Sequence, residues 1–313
     1  MKAAVFAKHG LELREVSQPQ PKAGEVLVRV RYAGLNRRDL TRAPGDEGTV
    51  PGMDWAGELA HDVAGETGLK AGEPVMCMGA GGYAEYAVSS CVLPLPKGMA
   101  LKQAAVLPLA LLTMHDALIG NGRLQRGESV LIQGASSGVG LMGLQIAKLM
   151  GARLAIGSSR RAEHRARLKE YGADLAVDTN DARWADEVLD ATGGKGVDLV
   201  IDQVSGNIFN ATQKATAITG RIVNVGRLGG MSAELDFNLH ALRRIQYIGV
   251  TFRTRTRDEV KAIAARMRGD LWPALEAGKL RLPIDREFAL AEAEAAQAHM
   301  RANRHFGKIV LQA

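Results

Sequence analysis

Between positions 130 and 140 the chain reads Val130-Leu131-Ile132-Gln133-Gly134-Ala135-Ser136-Ser137-Gly138-Val139-Gly140. An apolar run passes into small residues, which let a backbone approach an anionic group closely. A helix starting there aims free N–H groups and a positive dipole end at the same point, which suits a pyrophosphate. A glycine turn alone is a weak signal; it needs a strand before it, a helix after it and a second strand beyond. Arg153-Leu154-Ala155-Ile156-Gly157 supplies the second strand, and its end chooses the dinucleotide. Asp or Glu there would hold a ribose 2′-hydroxyl and repel a 2′-phosphate. The chain instead has Ser158-Ser159-Arg160-Arg161, with no acid before Glu163. Serine and arginine hydrogen-bond and pair with a phosphate. The cofactor expected is therefore NADPH rather than NADH. The candidate contacts are Ser136, Ser137, Gly138, Val139, Gly140, Ser158, Ser159 and Arg160.

The surrounding pattern says which elements hold this turn. Eight of the ten prolines fall between Pro19 and Pro108, and none lies between Leu109 and Trp272. Proline removes a ladder donor and breaks helix interiors, so a long proline-free stretch suits alternating buried strands and helices. Strands are predicted at Ser129-Val130-Leu131-Ile132, over 197–202, over 220–226 and over 245–250. Helices are predicted over 138–149 and 162–171, the second stopped by Gly172. That alternation implies a mostly parallel sheet covered on both faces. The first hundred residues read as short strands between turns. Glu25-Val26-Leu27-Val28-Arg29-Val30-Arg31-Tyr32 alternates with period two, and further strands are predicted from Val75 and over 83–88. Towards the end come a helix over 259–267, a turn at Leu271-Trp272-Pro273, a helix over 290–301 and a final strand through Lys308-Ile309-Val310-Leu311.

Composition narrows the class. The chain has 313 residues, 40 Lys+Arg against 34 Asp+Glu, and 46% hydrophobic residues. That is long enough for two cores and too apolar for a disordered chain. A sequence pI near 9.4 is compatible with an anionic ligand. The basic residues are dispersed and only 4% of residues are aromatic, so no RNA-stacking platform is visible and nucleic acid is not an expected partner. Two cysteines cannot make a four-Cys zinc site, and Cys77 and Cys91 sit among apolar neighbours as inert thiols. No signal peptide is visible and no uninterrupted apolar run approaches 18 residues. A cytoplasmic protein without a membrane segment is expected.

Several segments together carry a resemblance that spans nearly the whole chain. They are Met1-Lys2-Ala3, Ala33-Gly34-Leu35-Asn36-Arg37-Arg38-Asp39, Pro51-Gly52-Met53-Asp54-Trp55-Ala56-Gly57 and Gly82-Tyr83-Ala84-Glu85-Tyr86. Ala104-Ala105-Val106-Leu107-Pro108-Leu109 with Thr113 follows, then the phosphate turn, Gly220-Arg221-Ile222-Val223-Asn224-Val225-Gly226 and His305-Phe306-Gly307-Lys308-Ile309-Val310-Leu311. In order and spacing they resemble the zinc-independent, quinone oxidoreductase-like branch of the medium-chain dehydrogenase/reductase superfamily. The resemblance implies an α/β fold: a GroES-like β domain plus an inserted Rossmann domain with a doubly wound parallel sheet. The expected division is 1–115 with 253–313 for the first and 116–252 for the second. It also implies a homodimer paired through the strand near 244–251.

The resemblance implies hydride transfer from NADPH to a quinone or an α,β-unsaturated carbonyl. Asn36, Tyr83 and Arg37, in segments that line the cleft of relatives, become candidate donors to the substrate carbonyl. Thr113 would contact the nicotinamide. Val225, Gly226, Phe252, Arg253 and Thr254 would hold its carboxamide end, and Lys308 would reach a cofactor phosphate or stay solvated. Zinc-dependent relatives have Cys, His and Cys where this chain has Asn36, Met53 and Leu109, so no metal is expected. The chain departs from the family at Ser137, where glycine is common. It departs again at Val177-Asp178-Thr179-Asn180, where many relatives have a tyrosine over the adenine. Other readings stand beside these: Asn36 as a turn cap, Tyr83 as a packing residue, Asp54 as a loop-holding residue. His115-Asp116 looks like a dyad, but neighbours in a helix point apart. The alternative activities are an enoyl-thioester or alkenal reductase, or a non-catalytic NADPH- or RNA-binding relative.

Overall fold

The computed structural model describes residues 1–43, 45–63 and 69–313. The chain divides into two compact units, Met1–Leu109 with Thr256–Ala313, and Ala110–Arg255.

The first unit opens with an antiparallel hairpin of β1 (Lys2–Ala7) and β2 (Gly10–Glu15). It continues with β3 (Val26–Gly34), β4 (Asp54–Leu59), β5 (Pro74–Met78), β6 (Tyr86–Ser89) and β7 (Cys91–Pro94). The alternation in β3 does what period two requires: Val28 and Val30 are buried while Arg29 faces out. The strand predicted from Tyr83 starts only at Tyr86. Tyr83 bonds backbone to backbone with Pro51 through its N–H and with Ala4 through its carbonyl, two separate neighbours rather than one ladder. Trp55, Val75, Cys77 and Tyr83 fill the core. Cys77 and Cys91 are buried and free, and burial raises both thiols, Cys91 to about 11.

The second unit begins within the helix Pro108–His115, which runs into a π-helical turn at Asp116–Asn121. The helical stretch Leu101–Asn121 is long and apolar enough to cross a membrane, yet 72% of its most apolar window is buried inside the protein. Apolar all round, it is a core helix. Counting uninterrupted apolar residues overlooks it because Thr113, His115 and Asp116 break the run.

Next come β8 (Ser129–Ile132), the helix Gly138–Leu149, β9 (Leu154–Ser158), the helix Ala162–Arg167, β10 (Leu175–Val177) and the helix Trp184–Ala191. They are followed by β11 (Val197–Asp202), β12 (Thr216–Asn224), the helix Phe237–Arg243 and β13 (Gln246–Gly249). All six strands are parallel, in the order β10-β9-β8-β11-β12-β13. This is the parallel sheet that the alternation implied, in the doubly wound Rossmann arrangement that the resemblance implied. The chain leaves the centre in opposite directions from β8 and β11, so a crevice opens beyond their carboxyl ends. β12 starts four residues earlier than the run from Gly220 suggested and takes Thr219 through a positive φ of 62°.

The chain then returns to the first unit through the helix Arg257–Glu276, β14 (Ile284–Ala289), the helix Ala293–Arg301 and β15 (Lys308–Gln312). Pro273 does not end a helix; it lies inside one. Ile263, Met267, Leu271, Ala274 and Leu275 form one buried stripe at helical spacing, and its burial carries the helix past the missing N–H. β15 pairs antiparallel with β3, in the sheet order β14-β15-β3-β4-β5-β7, with β6 also on β3. That pairing brings the last strand to the end of β3 where Asn36 follows.

Candidate cofactor and active site

The small-residue turn sits at the carboxyl end of β8. Ser137 precedes the helix Gly138–Leu149; its hydroxyl accepts from Gly140 N at 3.0 Å and donates to Gly134 O at 2.9 Å. The departure from glycine at this position thus supplies a helix cap. At Gly140 only a hydrogen fits, because a Cβ would stand 2.6 Å from Ala135 Cα. The first N–H groups of the helix, on Gly138 and Val139, precede any intrahelical acceptor and point out of its start. The second strand is stitched to the same turn. Gly134 N donates to Ser158 Oγ at 3.1 Å, Ala135 N donates to Ser158 O at 2.8 Å, and the hydroxyls of Ser159 and Ser136 lie 3.2 Å apart.

Arg160 is exposed beside them. The nearby acids are engaged: Glu163 pairs with Arg161, and Asp178 pairs with Arg165 at 2.8 Å. Arg165 also donates to Ser159 O at 2.9 Å, a support that the sequence pattern did not single out. These side chains present a cationic, donor-rich end of β9, which fits a ribose carrying a 2′-phosphate.

A third group closes the crevice and has no counterpart in the sequence expectations. Gln203, just past β11, is buried; its Nε2 donates to Gln133 O at 2.8 Å, and its Oε1 lies 3.4 Å from Ser137 Oγ. Asp202 accepts from Val204 N and Ser205 N at 2.8 Å each, and burial raises its carboxyl above the usual range. The backbone N–H groups of Val225 and Gly226 both donate to Asp202 O, at 2.8 and 3.1 Å. A polar residue at a strand end has no periodic signature, so spacing could not mark Asp202 or Gln203. Thr113 and Phe252 are half-buried, and Arg253 is exposed.

The other expected residues meet in the first unit, in a buried polar network. Lys308 Nζ donates to Asn36 Oδ1 at 2.8 Å and to Asp54 Oδ2 at 2.9 Å. Asn36 Nδ2 donates to Asp54 Oδ2 at 3.0 Å and to Gly34 O at 3.3 Å. Asp54 Oδ1 accepts from Leu109 N at 2.7 Å. Asn36 N and the Tyr83 phenol both donate to Asp39 Oδ2, at 2.8 and 2.9 Å. Burial lifts the Asp39 carboxyl to about 7 against these bonds, and burial with the neighbouring Asp39 raises the Tyr83 phenol further still.

Lys308 is thus turned into the protein, rather than towards a phosphate or solvent. Asn36 spends both amide hydrogens and its carbonyl on protein groups, and Tyr83 is fully buried with its hydroxyl on Asp39. Arg37 donates to Met300 O at 3.1 Å and Asn303 Oδ1 at 2.7 Å, tying the end of the helix Ala293–Arg301 to the turn after β3. Among the described residues no three His, Cys, Asp or Glu side chains gather as a metal set.

Known proteins resemble this chain over nearly its whole length. Residues 22–97 match the family model for the alcohol dehydrogenase GroES-like domain, and residues 138–268 match that for zinc-binding dehydrogenase. The rat quinone oxidoreductase is 30% identical over 95% of this chain and 92% of its own length. A phenolphthiocerol/phthiocerol polyketide synthase subunit of Mycobacterium tuberculosis is 32% identical over 96% of this chain, which spans 14% of that longer protein. Among solved structures, a mycobacterial protein complexed with NADPH superposes with a TM-score of 0.87 at 25% identity, over 100% of each chain.

Proposed function

Because the chain belongs to the medium-chain dehydrogenase/reductase family, among the quinone oxidoreductases, we propose that it is an NADPH-dependent, zinc-independent oxidoreductase that transfers hydride to a quinone or an α,β-unsaturated carbonyl. One observation carries the cofactor: Ser158, Ser159 and the exposed Arg160 stand at the end of β9, while the acids nearby are each paired with an arginine. The NADPH complex of the mycobacterial neighbour supports the same reading. When bound, NADPH supplies the hydride.

The chain's own groups then bind and orient. The start of the helix Gly138–Leu149 receives the pyrophosphate, and Ser136, Ser159 and Arg160 receive the 2′-phosphate. Thr113, Val225, Gly226, Phe252 and Arg253 border the nicotinamide. Zinc independence rests on side-chain type: the aliphatic Leu109 has no donor and the Met53 thioether is a poor zinc ligand. Asn36 and Tyr83 act as positioning residues, since their polar atoms are held by Lys308, Asp54 and Asp39. Arg37 anchors the C-terminal helix in the same way.

The similarity to a polyketide synthase subunit favours a second acceptor class, α,β-unsaturated thioesters. The homodimer is supported by β13, which ends the sheet with Tyr247 half exposed, and by Met231 beside it, exposed to 85%. A reducing, cytoplasmic setting is supported by the two free cysteines.

Loss of absorbance at 340 nm with NADPH tests the activity, with a quinone, an acyclic enone and an enoyl thioester side by side. Faster turnover of the quinone supports quinone reduction; faster turnover of either alkene makes this an alkene reductase. Equal rates with NADH remove the argument from Ser159 and Arg160. NADPH binding without turnover of any acceptor leaves a binding protein.

A further inference from the structure

Asp116 opens the π-helical turn directly after the helix that carries Thr113, and its side chain is 5% exposed. Arg255 closes the irregular segment that follows β13 and contains Phe252 and Arg253. Its guanidinium lies 2.6 Å from Asp116 Oδ2, is 20% exposed, and stacks over the Phe252 ring at 5.7 Å. The wide turn closes on Asp116, through its main-chain carbonyl and beside its carboxylate. Asn121 Nδ2 donates to Asp116 O at 2.9 Å, and a Cβ on Gly120 would stand 2.9 Å from Asp116 Oδ1. Such one-turn π insertions recur at functional sites. Arg255 Nε is buried with no acceptor among the described residues, so the Asp116 carboxylate on the other side of the guanidinium offsets its desolvation.

We infer that Asp116 and Arg255 are a positioning pair that clamps the 252–254 segment to the helix bearing Thr113 and so sets the width of the nicotinamide seat. The inference rests on the proposed NADPH reading. Both act through the segments they join. The two segments are 139 positions apart in the chain at this contact, and the ion pair joins them. The adenine half lies at Ser158 to Arg160, on other elements, and does not depend on it.

The test compares two ligands on the full-length protein: NADPH, and 2′,5′-ADP, which has the 2′-phosphate and no nicotinamide. Asp116→Asn, Arg255→Met and Arg255→Lys are measured for binding of each, for kcat and KM with NADPH, and for melting temperature. Asp116→Asn and Arg255→Met are expected to weaken NADPH by about tenfold and to lower kcat, with 2′,5′-ADP changed less than about twofold, since small displacements of a bound reactant cost large factors in rate. Arg255→Lys keeps the charge and is expected to recover part of the loss. If Arg255→Met does not fold, the isosteric Asp116→Asn and the charge-preserving Arg255→Lys carry the comparison. Equal weakening of both ligands, or of neither, overturns the inference. A wild-type protein that binds neither ligand overturns the NADPH reading, and the inference with it.

Discussion

Lys308 and Asp54 are 254 positions apart in the chain and 2.9 Å apart in space, with 3% and 0% of their side chains exposed. The ion pair joins β15 to β4 across the end of β3, and Asn36 bridges both partners. A charge pair this deep stands because each member offsets the other's desolvation.

Lys308→Met should therefore destabilise the protein by about 3–5 kcal/mol, the usual loss when one member of a buried pair is removed. Lys308→Met with Asp54→Leu should cost less than Lys308→Met alone, because no charge is left unpaired. Urea unfolding of Lys308→Met, Asp54→Leu and the double variant measures the difference; a double loss equal to the sum of the single losses would mean the pair is not coupled.

Asp39 gives a pH signature. Its folded carboxyl titrates at about 7 against an ordinary 3.8, so between these values the folded protein holds a proton that the unfolded chain has lost. Stability from this group is fully present below pH 4 and is lost as pH rises through 7. Asp39→Asn should flatten that part of the stability profile, read as melting temperature against pH beside the wild type. An unchanged slope would assign the dependence to another group.

Cofactor choice should follow the end of β9. A charge-assisted hydrogen bond is worth about 1.5–3 kcal/mol, or about tenfold and more in affinity. Ser159→Asp combined with Arg160→Gln should lower the NADPH-to-NADH ratio of kcat/KM by at least that factor. Steady-state kinetics with both cofactors decides it, and a constant ratio would place 2′-phosphate recognition elsewhere.

Met231→Lys should shift the proposed homodimer towards monomer and lower the melting temperature only at concentrations where the wild type is dimeric, since Met231 is already 85% exposed in the single chain and its replacement disturbs no core. Sedimentation at several concentrations reads this directly. A monomeric wild type would remove the dimer.

Cys77 and Cys91 should resist a thiol reagent until the protein is denatured, because burial raises both thiols and thiolate is the reactive form. Rapid labelling of the native protein would contradict their buried placement.

The parallel sheet was legible because its signals are local. Apolar strands, a small-residue turn and the missing acid after β9 each act within a few residues of where they are read. Ser137 shows the limit: its size could be judged from the sequence, but its cap on Gly140 N needed the helix start. Pro273 shows another, since a helix breaker yielded to a buried stripe running past it on both sides. Asn36, Tyr83 and Lys308 could be singled out as chemical side chains, but not given partners.

The sequence by itself determined where most strands and helices fall along the chain and which small residues form the turn after β8, because hydrophobic period and residue size act over short distances. Only the tertiary structure decided which polar groups face each other: Lys308 with Asp54 and Asn36, Tyr83 with Asp39, Arg255 with Asp116. Those pairings are set by how strands and helices far apart in the chain come into register, and burial then makes every unpaired polar atom costly. Spacing along the chain carries no record of either.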